Sequence, residues 1–391
     1  MIRSVRIRLI PTKEQEIIFR KSCGVARWAY NFFLSENERV YQEWKNGKSE
    51  KKSISEMDVR RYINNVLKPT THSWLKEVGS NVMKQAVKDA NEAKQRYLKG
   101  LSGRPKFKSK KKAKMSFYVN YESLTRKPNG FQGEKLGIVK TATPLPKLRK
   151  GEKYSNPRIS FDGKFWLLSV GYEVFEKKTE LTDRTIGIDL GIKDLAICSD
   201  GSKFKNINKS KTVRRLEKKL KREQRKLSRK IENDIKSYTS NRKPIFERSL
   251  NKCQNFQKQK KTVALIQRKL TNIRQNYVHQ TTAKIVKIKP SKIVMEDLDV
   301  RGMMKNKHLS KAIAQQKFYE FTRQMEYKCR FRGIEFIKVD RFYPSSKKCS
   351  CCGNIKKDLK LKDRIYKCDI CGLVIDRDFN ASVNLANYKS A

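Results

Sequence analysis

The chain has 391 residues, a length typical of roughly two or three domains, and 92 Lys and Arg against 39 Asp and Glu give it a formal net charge of +53 at pH 7. With 37% hydrophobic and 9% aromatic residues it can build cores, which excludes a disordered basic tail. Because so large a charge opposes compaction unless a polyanion offsets it, the composition indicates nucleic acid as partner. A ribosomal or chromatin-type protein would be equally basic, so charge alone predicts no chemistry.

Neither an export signal nor a membrane span is expected from the sequence. The first eight residues interleave Arg with apolar side chains and lack the apolar core of a signal peptide. No run of about 18 apolar residues could cross a membrane. The chain has nine cysteines, and five of them lie between positions 349 and 371, a pattern that does not suit a disulfide framework. A reducing, cytoplasmic setting with a bound metal fits better.

The first 100 residues predict one strand followed by helices. Residues 1–10 alternate apolar and basic side chains, as a strand does, and Thr12 with Gln15 forms a capping box that opens a helix. Helical spacing continues to about residue 100. Its aromatic and small apolar residues are more typical of helix packing than of base stacking. They are Trp28, Tyr30, Phe32, Phe33, Tyr41, Trp44, Val82, Ala86, Ala90, Ala93 and Tyr97.

A basic loop and a strand-rich segment follow. The loop at residues 103–112, with Arg104 and Lys106, is predicted to contact phosphates, and a solvated linker is the alternative. Residues 115–180 are rich in strand patterns, and Asp162 with Gly163 supplies the turn of a hairpin. The first strand is expected to join this sheet, making a barrel with the helical segment inserted.

The second half begins with an apolar strand at residues 185–191 and a partner strand at 194–198. Two basic segments on either side of Pro244 carry apolar residues at spacings of three, four and seven, which predicts a helical hairpin at about residues 210–280. Its basic surface is expected to lie along a nucleic-acid duplex, with a merely solvated surface as the alternative. The remaining predicted elements are an amphipathic helix and two strands, at 311–332, 292–297 and 334–340.

Four cysteines form the most specific motif. Cys349 and Cys352 make one C-x-x-C-G knuckle, and a second, Cys368 and Cys371, follows after fifteen intervening residues. A two-residue gap lets both thiolates of a knuckle reach one tetrahedral ion, and the following glycine suits the tight turn. We predict one structural zinc ion rather than a redox or disulfide pair. Cys351 could compete as a ligand, but its spacing to Cys349 is wrong for that role.

Three separated acids form the second signal. Asp189 lies on an apolar strand, Glu296 ends a later strand and Asp378 stands at the start of the last predicted helix. Burying a carboxylate costs on the order of several kcal/mol unless it is paired or binds metal. Converging at strand ends, the three could hold two Mg²⁺ ions about 3.5–4 Å apart, an arrangement that hydrolyses phosphodiesters. Singly each acid is a weak signal, so the prediction rests on their order along the chain. Four neighbouring acids rank lower: Asp194, Asp297, Asp299 and Asp376.

These motifs together resemble the TnpB family of insertion-sequence-encoded proteins, which are related to compact type V CRISPR effectors. The stretches that carry the resemblance are 11–15, 187–193, 294–303, 340–349 and 376–384. It covers nearly the whole chain, with two departures: Cys351 in the middle of the first knuckle, and Ser382 where small residues are usual.

Members of that family are RNA-guided DNA endonucleases with an RNase H-like (RuvC) domain, a wedge barrel and a helical recognition insert. The resemblance implies a prokaryotic, nucleoid-associated enzyme that binds a guide RNA from the end of its own mobile element. It would cut double-stranded target DNA beside a short motif and need no small-molecule cofactor or membrane. The implied catalytic acids are Asp189, Glu296 and Asp378. The implied nucleic-acid contacts are Arg341, near the scissile phosphate, and Asn81, Lys84 and Gln85, at the target-adjacent motif.

The resemblance also implies a domain order for this α/β chain. The implied ranges are a wedge-like barrel at 1–10 and 115–180, a helical recognition insert with its basic loop at 11–114, a nuclease domain at 181–345 and 373–391, and a zinc ribbon at 346–372.

Two alternatives to guided cleavage stay open. A transposase would join DNA strands with the same three acids, because RNase H-like folds support both reactions. The DNA products, hydrolysed ends or joined strands, would distinguish them. A catalytically silent guided DNA-binding repressor is the non-enzyme alternative, and the presence of all three acids argues against it.

Overall fold

The computed structural model divides into two compact units, Met1–Phe175 and Glu176–Ala391. It describes residues 1–110, 112–174, 180–250, 253–360 and 363–388. Within those ranges, none of the helices combines the length and apolar character needed to traverse a bilayer.

The first unit is a seven-stranded antiparallel sheet with helices inserted after its first strand. Its strands are β1 (Ile2–Ile10), β2 (Ser116–Tyr118), β3 (Thr125–Lys127), β4 (Gly130–Gly133), β5 (Gly137–Thr141), β6 (Ser155–Phe161) and β7 (Trp166–Glu173). Its α-helices are α1 (Lys13–Lys45), α2 (Glu56–Tyr62) and α3 (Ser80–Leu98).

Strand β1 joins the later strands, as the alternating pattern predicts. The strand order is β2-β6-β7-β1-β5-β4-β3, so β1 lies in the middle of the sheet. Within β1, the side chains of Ile7 and Leu9 are buried, while those of Arg6 and Arg8 face solvent. The two end strands, β2 and β3, are not paired with each other among the described residues, so closure into a barrel stays a prediction.

The capping box and the helix core are largely as predicted. Thr12 accepts a hydrogen bond from the Gln15 amide, and the Gln15 side chain accepts one from the Thr12 amide, which starts α1. Tyr30 and Phe33 are buried in the core of this unit.

Three aromatic residues assigned to that core lie outside it: Tyr41, Trp44 and Tyr97. Tyr41 is 45% exposed and packs against the Trp44 ring one turn later, with ring centroids 5.7 Å apart. Tyr97 is 42% exposed beside the C-terminal end of α3.

The second unit combines a mixed five-stranded sheet with helices. Its strands are β8 (Thr182–Asp189), β9 (Asp194–Cys198), β10 (Lys203–Lys205), β11 (Ile235–Tyr238), β12 (Pro244–Phe246), β13 (Pro290–Glu296), β14 (Glu335–Val339), β15 (Ile365–Lys367) and β16 (Val374–Asp376). Its α-helices are α4 (Lys211–Glu232), α5 (Gln254–Lys287), α6 (Val300–Met303), α7 (Ser310–Gln316), α8 (Phe318–Arg330) and α9 (Arg377–Ala386).

The central sheet brings two strand ends together. Its order is β10-β9-β8-β13-β14, with β13 parallel to both β8 and β14, and β9 antiparallel to β8. The pairing of β8 with β13 runs to Ile188 and Met295. Asp189 and Glu296 come immediately after these paired residues, at equivalent positions of neighbouring parallel strands, which project to the same face of a sheet.

The predicted helical hairpin is present. Helices α4 and α5 pack through buried Val213, Ile266 and Leu270, and the small sheet of β11 and β12 connects them. Pro244 lies at the start of β12, where a missing backbone N–H is tolerated.

The continuous helix predicted at 311–332 is wrong, because it breaks at Lys317. That residue adopts a left-handed conformation, φ +62°, which ends α7 and starts α8. The break lets the buried Gln316 amide donate to the carbonyls of Gly191 and Ile192, in the loop after Asp189. A tertiary contact therefore overrides an uninterrupted helical pattern.

Helix α9 packs on β8 at Gly187. A β-carbon there would lie 2.0 Å from the Ser382 carbonyl oxygen and 2.4 Å from the Ala386 nitrogen, both backbone atoms of α9. Only glycine lets the last helix approach this strand so closely.

The Gly187→Ala substitution is therefore expected to destabilise the second unit by about 1–3 kcal/mol, the usual cost of overpacking a core. Equilibrium denaturant unfolding measures it. The control is Gly103→Ala, where a β-carbon meets nothing within 4 Å. Equal stability of the two variants would contradict the close packing of α9 on β8.

Candidate active site

Asp189 ends β8, and three side chains fix the loop that follows it. Gln316 holds the carbonyls of Gly191 and Ile192 at 3.0 and 3.1 Å, and the Asn206 amide donates to the Ile192 carbonyl at 2.8 Å. Lys209 donates to the Lys193 carbonyl at 3.1 Å. The backbone beside Asp189 is thus held by the side chains of Gln316, Asn206 and Lys209.

The three predicted acids affect one another electrostatically. Burial raises the pKa of the Asp189 carboxyl well above its usual range, and the nearby carboxylates of Glu296 and Asp378 raise it further. Arg377 opposes this shift. Asp189, Glu296 and Asp378 therefore lie near enough to interact electrostatically.

Glu296 ends β13 and accepts a hydrogen bond from the Ser345 hydroxyl. Ser345 is buried, 2% exposed. A neutral hydroxyl orients a carboxylate without cancelling its charge. Ser345 was not singled out in the sequence, because a serine in a polar, proline-containing loop carries no local signal of such a contact.

Asp378 lies in the first turn of α9, as predicted. Its carboxylate is 3.8 Å from the Arg364 guanidinium. Asp376, ranked lower from the sequence, caps the helix by accepting from the Asp378 and Phe379 amides at 3.1 and 3.0 Å.

Arg341 lies beside acids that the sequence ranked lower. Its guanidinium is 3.7 Å from the Asp297 carboxylate and 3.5 Å from that of Asp299. The Gly302 amide, as the main cause, and Arg341 lower the pKa of Asp299. The Arg341 side chain is half exposed, so its guanidinium faces solvent next to the strand end that carries Glu296.

The four predicted cysteines form one cluster. The sulfur atoms of Cys349, Cys352, Cys368 and Cys371 all lie within 4.8 Å of one another. Cys349 and Cys371 are 3.6 Å apart and Cys352 and Cys368 3.5 Å, close to the roughly 3.7 Å between thiolates on a tetrahedral zinc ion. Among the described residues, this is the one group of three or more His, Cys, Asp or Glu side chains near enough to share an ion as placed.

The knuckle geometry agrees with thiolate ligands. Backbone amides of Cys371 and Ile370 lower the pKa of Cys368 to about 6, whereas burial and hydrogen bonds with the other three thiols raise the pKa of Cys352 to about 12, so the cluster shares its protons when no metal is bound. Gly353 and Gly372 adopt left-handed conformations, φ +78° and +70°, as the knuckle turns require. Cys351 is exposed and stands outside the cluster, as expected.

The candidates in the first unit have mixed surroundings. Asn81, Lys84 and Gln85 share one face of α3, where Gln85 donates to Asp89 at 2.9 Å. Arg104 and Lys106 are both exposed, and Arg104 forms an ion pair with Glu38 at 2.5 Å.

The basic loop is attached to α1 in two places. The Asn31 side chain forms hydrogen bonds with both the amide and the carbonyl of Lys108, at 2.8 and 3.0 Å. The Lys108 ammonium lies 3.4 Å from the centre of the Tyr30 ring. Contacts of this loop and of α3 with nucleic acid stay predictions.

Three family models match the chain. The OrfB_IS605 model, described as "Probable transposase", matches residues 169–307, and the "Cas12f1-like, TNB domain" matches 318–385. A third, described as "Helix-turn-helix domain", matches 1–48. The structure has one strand and one long helix over most of that range, β1 and α1, rather than two helices joined by a turn.

Relatives of the whole chain belong to one group. A protein of Streptomyces pristinaespiralis called "Putative RNA-guided DNA endonuclease" is 30% identical over 390 residues, covering 98% of this chain and 88% of its own. "Putative RNA-guided DNA endonuclease InsQ" of Escherichia coli K12 is 27% identical over 411 residues, covering 98% and 91%.

A solved structure has the same fold. The Cas12f1 chain in a complex with sgRNA and target DNA aligns with a TM-score of 0.56 at 14% identity, covering 99% of each chain. With the four-cysteine cluster, the models that match residues 169–307 and 318–385, and a relative 30% identical over 98% of its length, the chain belongs to the TnpB (OrfB-type) family, with a Cas12f1-like TNB domain at its C-terminal end.

Proposed function

We propose that this protein is an RNA-guided DNA endonuclease that cuts double-stranded DNA beside a short motif, using an RNase H-like (RuvC-type) domain. The observation that carries the chemistry is the placement of the acids: Asp189 and Glu296 lie at adjacent ends of the parallel strands β8 and β13, and Asp378 lies in the first turn of α9, which packs on β8 at Gly187. The raised pKa of Asp189 supports their proximity. Relatives that bear the endonuclease description align with 98% of this chain, which supports the guided activity.

The acid cluster fits divalent metal ions. Its donors are carboxylate oxygens, the ligands that Mg²⁺ prefers, and their mutual repulsion is relieved by cations. Asp189, Glu296 and Asp378 would hold two Mg²⁺ ions. Such ions, when bound, supply an activated water and stabilise the leaving oxygen of a phosphodiester.

The protein's own residues position these ligands and the DNA backbone. Gln316 and Asn206 fix the loop after Asp189, Ser345 orients Glu296, and the Asp376 cap fixes the turn that carries Asp378. Arg341, half exposed beside Asp297, would approach the scissile phosphate.

The cysteine cluster would hold one structural Zn²⁺ ion. Its four sulfur ligands leave no open position for substrate, which favours a structural over a catalytic role. The predicted domain ranges, including the wedge barrel and the recognition insert, are part of the same proposal. So are the contacts of Asn81, Lys84, Gln85, Arg104 and Lys106 with nucleic acid, and a guide RNA derived from the end of the mobile element.

DNA strand transfer is the second candidate, because the model matching residues 169–307 is described as a transposase. Both reactions use the same acids, so product analysis separates them. The descriptions of the whole-length relatives favour hydrolysis.

The Asp189→Ala variant is expected to lower Mg²⁺-dependent DNA cleavage by more than about 100-fold, since even residues that only support metal ligands typically change activity by 10–100-fold. Binding of nucleic acid should stay near the wild-type level, because the charge that drives it lies elsewhere. Cleavage and filter-binding assays on the RNA-loaded protein measure both.

The matched control is Asp194→Ala. Asp194 lies five residues after Asp189 in the chain and begins β9, which belongs to the same sheet. It should keep nearly full activity. Wild-type cleavage by the Asp189→Ala variant, or equal loss in both variants, would contradict the assignment of Asp189.

For the zinc cluster, Cys371→Ser should lose bound zinc, whereas Cys351→Ser should retain one zinc per chain, because Cys351 stands outside the cluster. Metal analysis of the two purified variants by plasma mass spectrometry measures this. Retention of a full zinc equivalent by Cys371→Ser, or its loss from Cys351→Ser, would overturn the ligand set.

A further inference from the structure

Three buried polar side chains lie between the cysteine cluster and the acids. Asn380 is fully buried, Asn384 is 3% exposed and Ser345 is 2% exposed. Buried amides and hydroxyls are costly unless they are hydrogen-bonded, so their partners indicate what they hold in place.

Asn380 and Asn384 form hydrogen bonds with the backbone around the first knuckle, which holds Cys349 and Cys352. The Asn380 amide donates to the Lys348 carbonyl at 2.7 Å, and its oxygen accepts from the Ser350 amide at 3.0 Å. Cys349, one of the four clustered cysteines, lies between these two contacts. The backbone on both sides of this cysteine is therefore fixed to helix α9.

Asn384, one turn further along α9, forms two more hydrogen bonds with this backbone. Its amide donates to the Lys348 carbonyl at 2.6 Å and to the Ser345 carbonyl at 2.8 Å. Asn380 and Asn384 are four residues apart on α9, so they face the same side of the helix. Ser345 is thereby held by its backbone to the helix while its hydroxyl reaches Glu296.

These contacts form a continuous path from the knuckle to two of the acids. On one branch, Lys348 and Ser345 lead to Glu296. On the other, Asn380 lies two residues after Asp378 on the same helix. Displacement of the first knuckle would therefore move the group that orients Glu296.

We propose that Ser345, Asn380 and Asn384 are positioning residues that couple the folded first knuckle to the orientation of Glu296, and so set the divalent-ion affinity of the acid cluster. The inference rests on the proposed function, which makes Glu296 a metal ligand. Side chains that hydrogen-bond to a ligating carboxylate fix its orientation, and their loss typically weakens metal binding by roughly 10–100-fold.

The Ser345→Ala variant tests the last link of the path. It is expected to raise the Mn²⁺ concentration at half-saturation by about tenfold, measured by calorimetry on the full chain without nucleic acid, and to raise the Mg²⁺ midpoint of cleavage similarly. Cleavage at saturating Mg²⁺ should largely recover. Ser345→Thr, which keeps the hydroxyl, should restore the wild-type midpoint.

The matched control is Ser382→Ala. Ser382 is as deeply buried, but its hydroxyl donates to the Phe379 carbonyl at 2.7 Å within its own helix, and among the described residues no hydrogen bond joins it to an acid. Its midpoint should equal that of the wild type. If Ser345→Ala and Ser382→Ala share one midpoint, or if Ser345→Ala weakens only thermal stability, the hydroxyl is structural packing and the proposal is overturned.

Two further variants test the coupling itself. Asn384→Ala, which leaves the Ser345 hydroxyl intact, and the zinc-free Cys371→Ser should both raise the Mn²⁺ midpoint. An unchanged midpoint in both would overturn the coupling. Glu296→Gln separates this inference from the proposed function: if Glu296→Gln leaves Mn²⁺ binding and cleavage unchanged, both fail, whereas if it abolishes them and Ser345→Ala shifts nothing, the coupling alone fails.

Discussion

The electrostatic interaction of Asp189 with the carboxylates of Glu296 and Asp378 is the constraint around which the candidate site is built. The chain gathers these charges at one sheet edge while carrying a net +53 overall. Nearby support for Asp189 and Glu296 comes from neutral donors such as Gln316 and Ser345, which orient without neutralising. A small negative centre in a strongly positive molecule suits divalent ions bound at the acids and a polyanion bound around them.

The sheet and the last helix together meet that constraint. Parallel pairing of β8 with β13 places Asp189 and Glu296 at adjacent strand ends. Gly187 lets α9, which carries Asp378, pack closely on β8. The cysteine module lies in the chain between β14 and α9, and the asparagines of α9 hold its first knuckle. Because α9 holds the first knuckle and also carries Asp378, one helix positions both the cysteine module and this acid.

The features that were predicted correctly depend on residues close together in the chain. The alternation of residues 1–10, the capping box at Thr12 and the two cysteine knuckles are all present in the structure. The helix at 311–332 was wrong because the turn at Lys317 serves a contact with a loop more than a hundred residues away. The roles of Ser345 and Asn384 were missed for the same reason, although polar residues at helical spacing among the apolar residues of the last helix were a usable signal. The domain boundaries and the contacts of Arg341, Asn81, Lys84 and Gln85 rest on resemblance, those of Arg104 and Lys106 on charge, and all of them stay predictions.

The central claim, guided cleavage, is tested most directly by sequencing the RNA that stays bound to the wild-type chain through a high-salt purification. Contacts made by charge alone weaken steeply as salt rises, so an unspecific polyanion should be lost. The account predicts one discrete, structured RNA species with a variable end. A heterogeneous mixture of RNA, or none, would contradict it and favour an enzyme that acts on DNA alone.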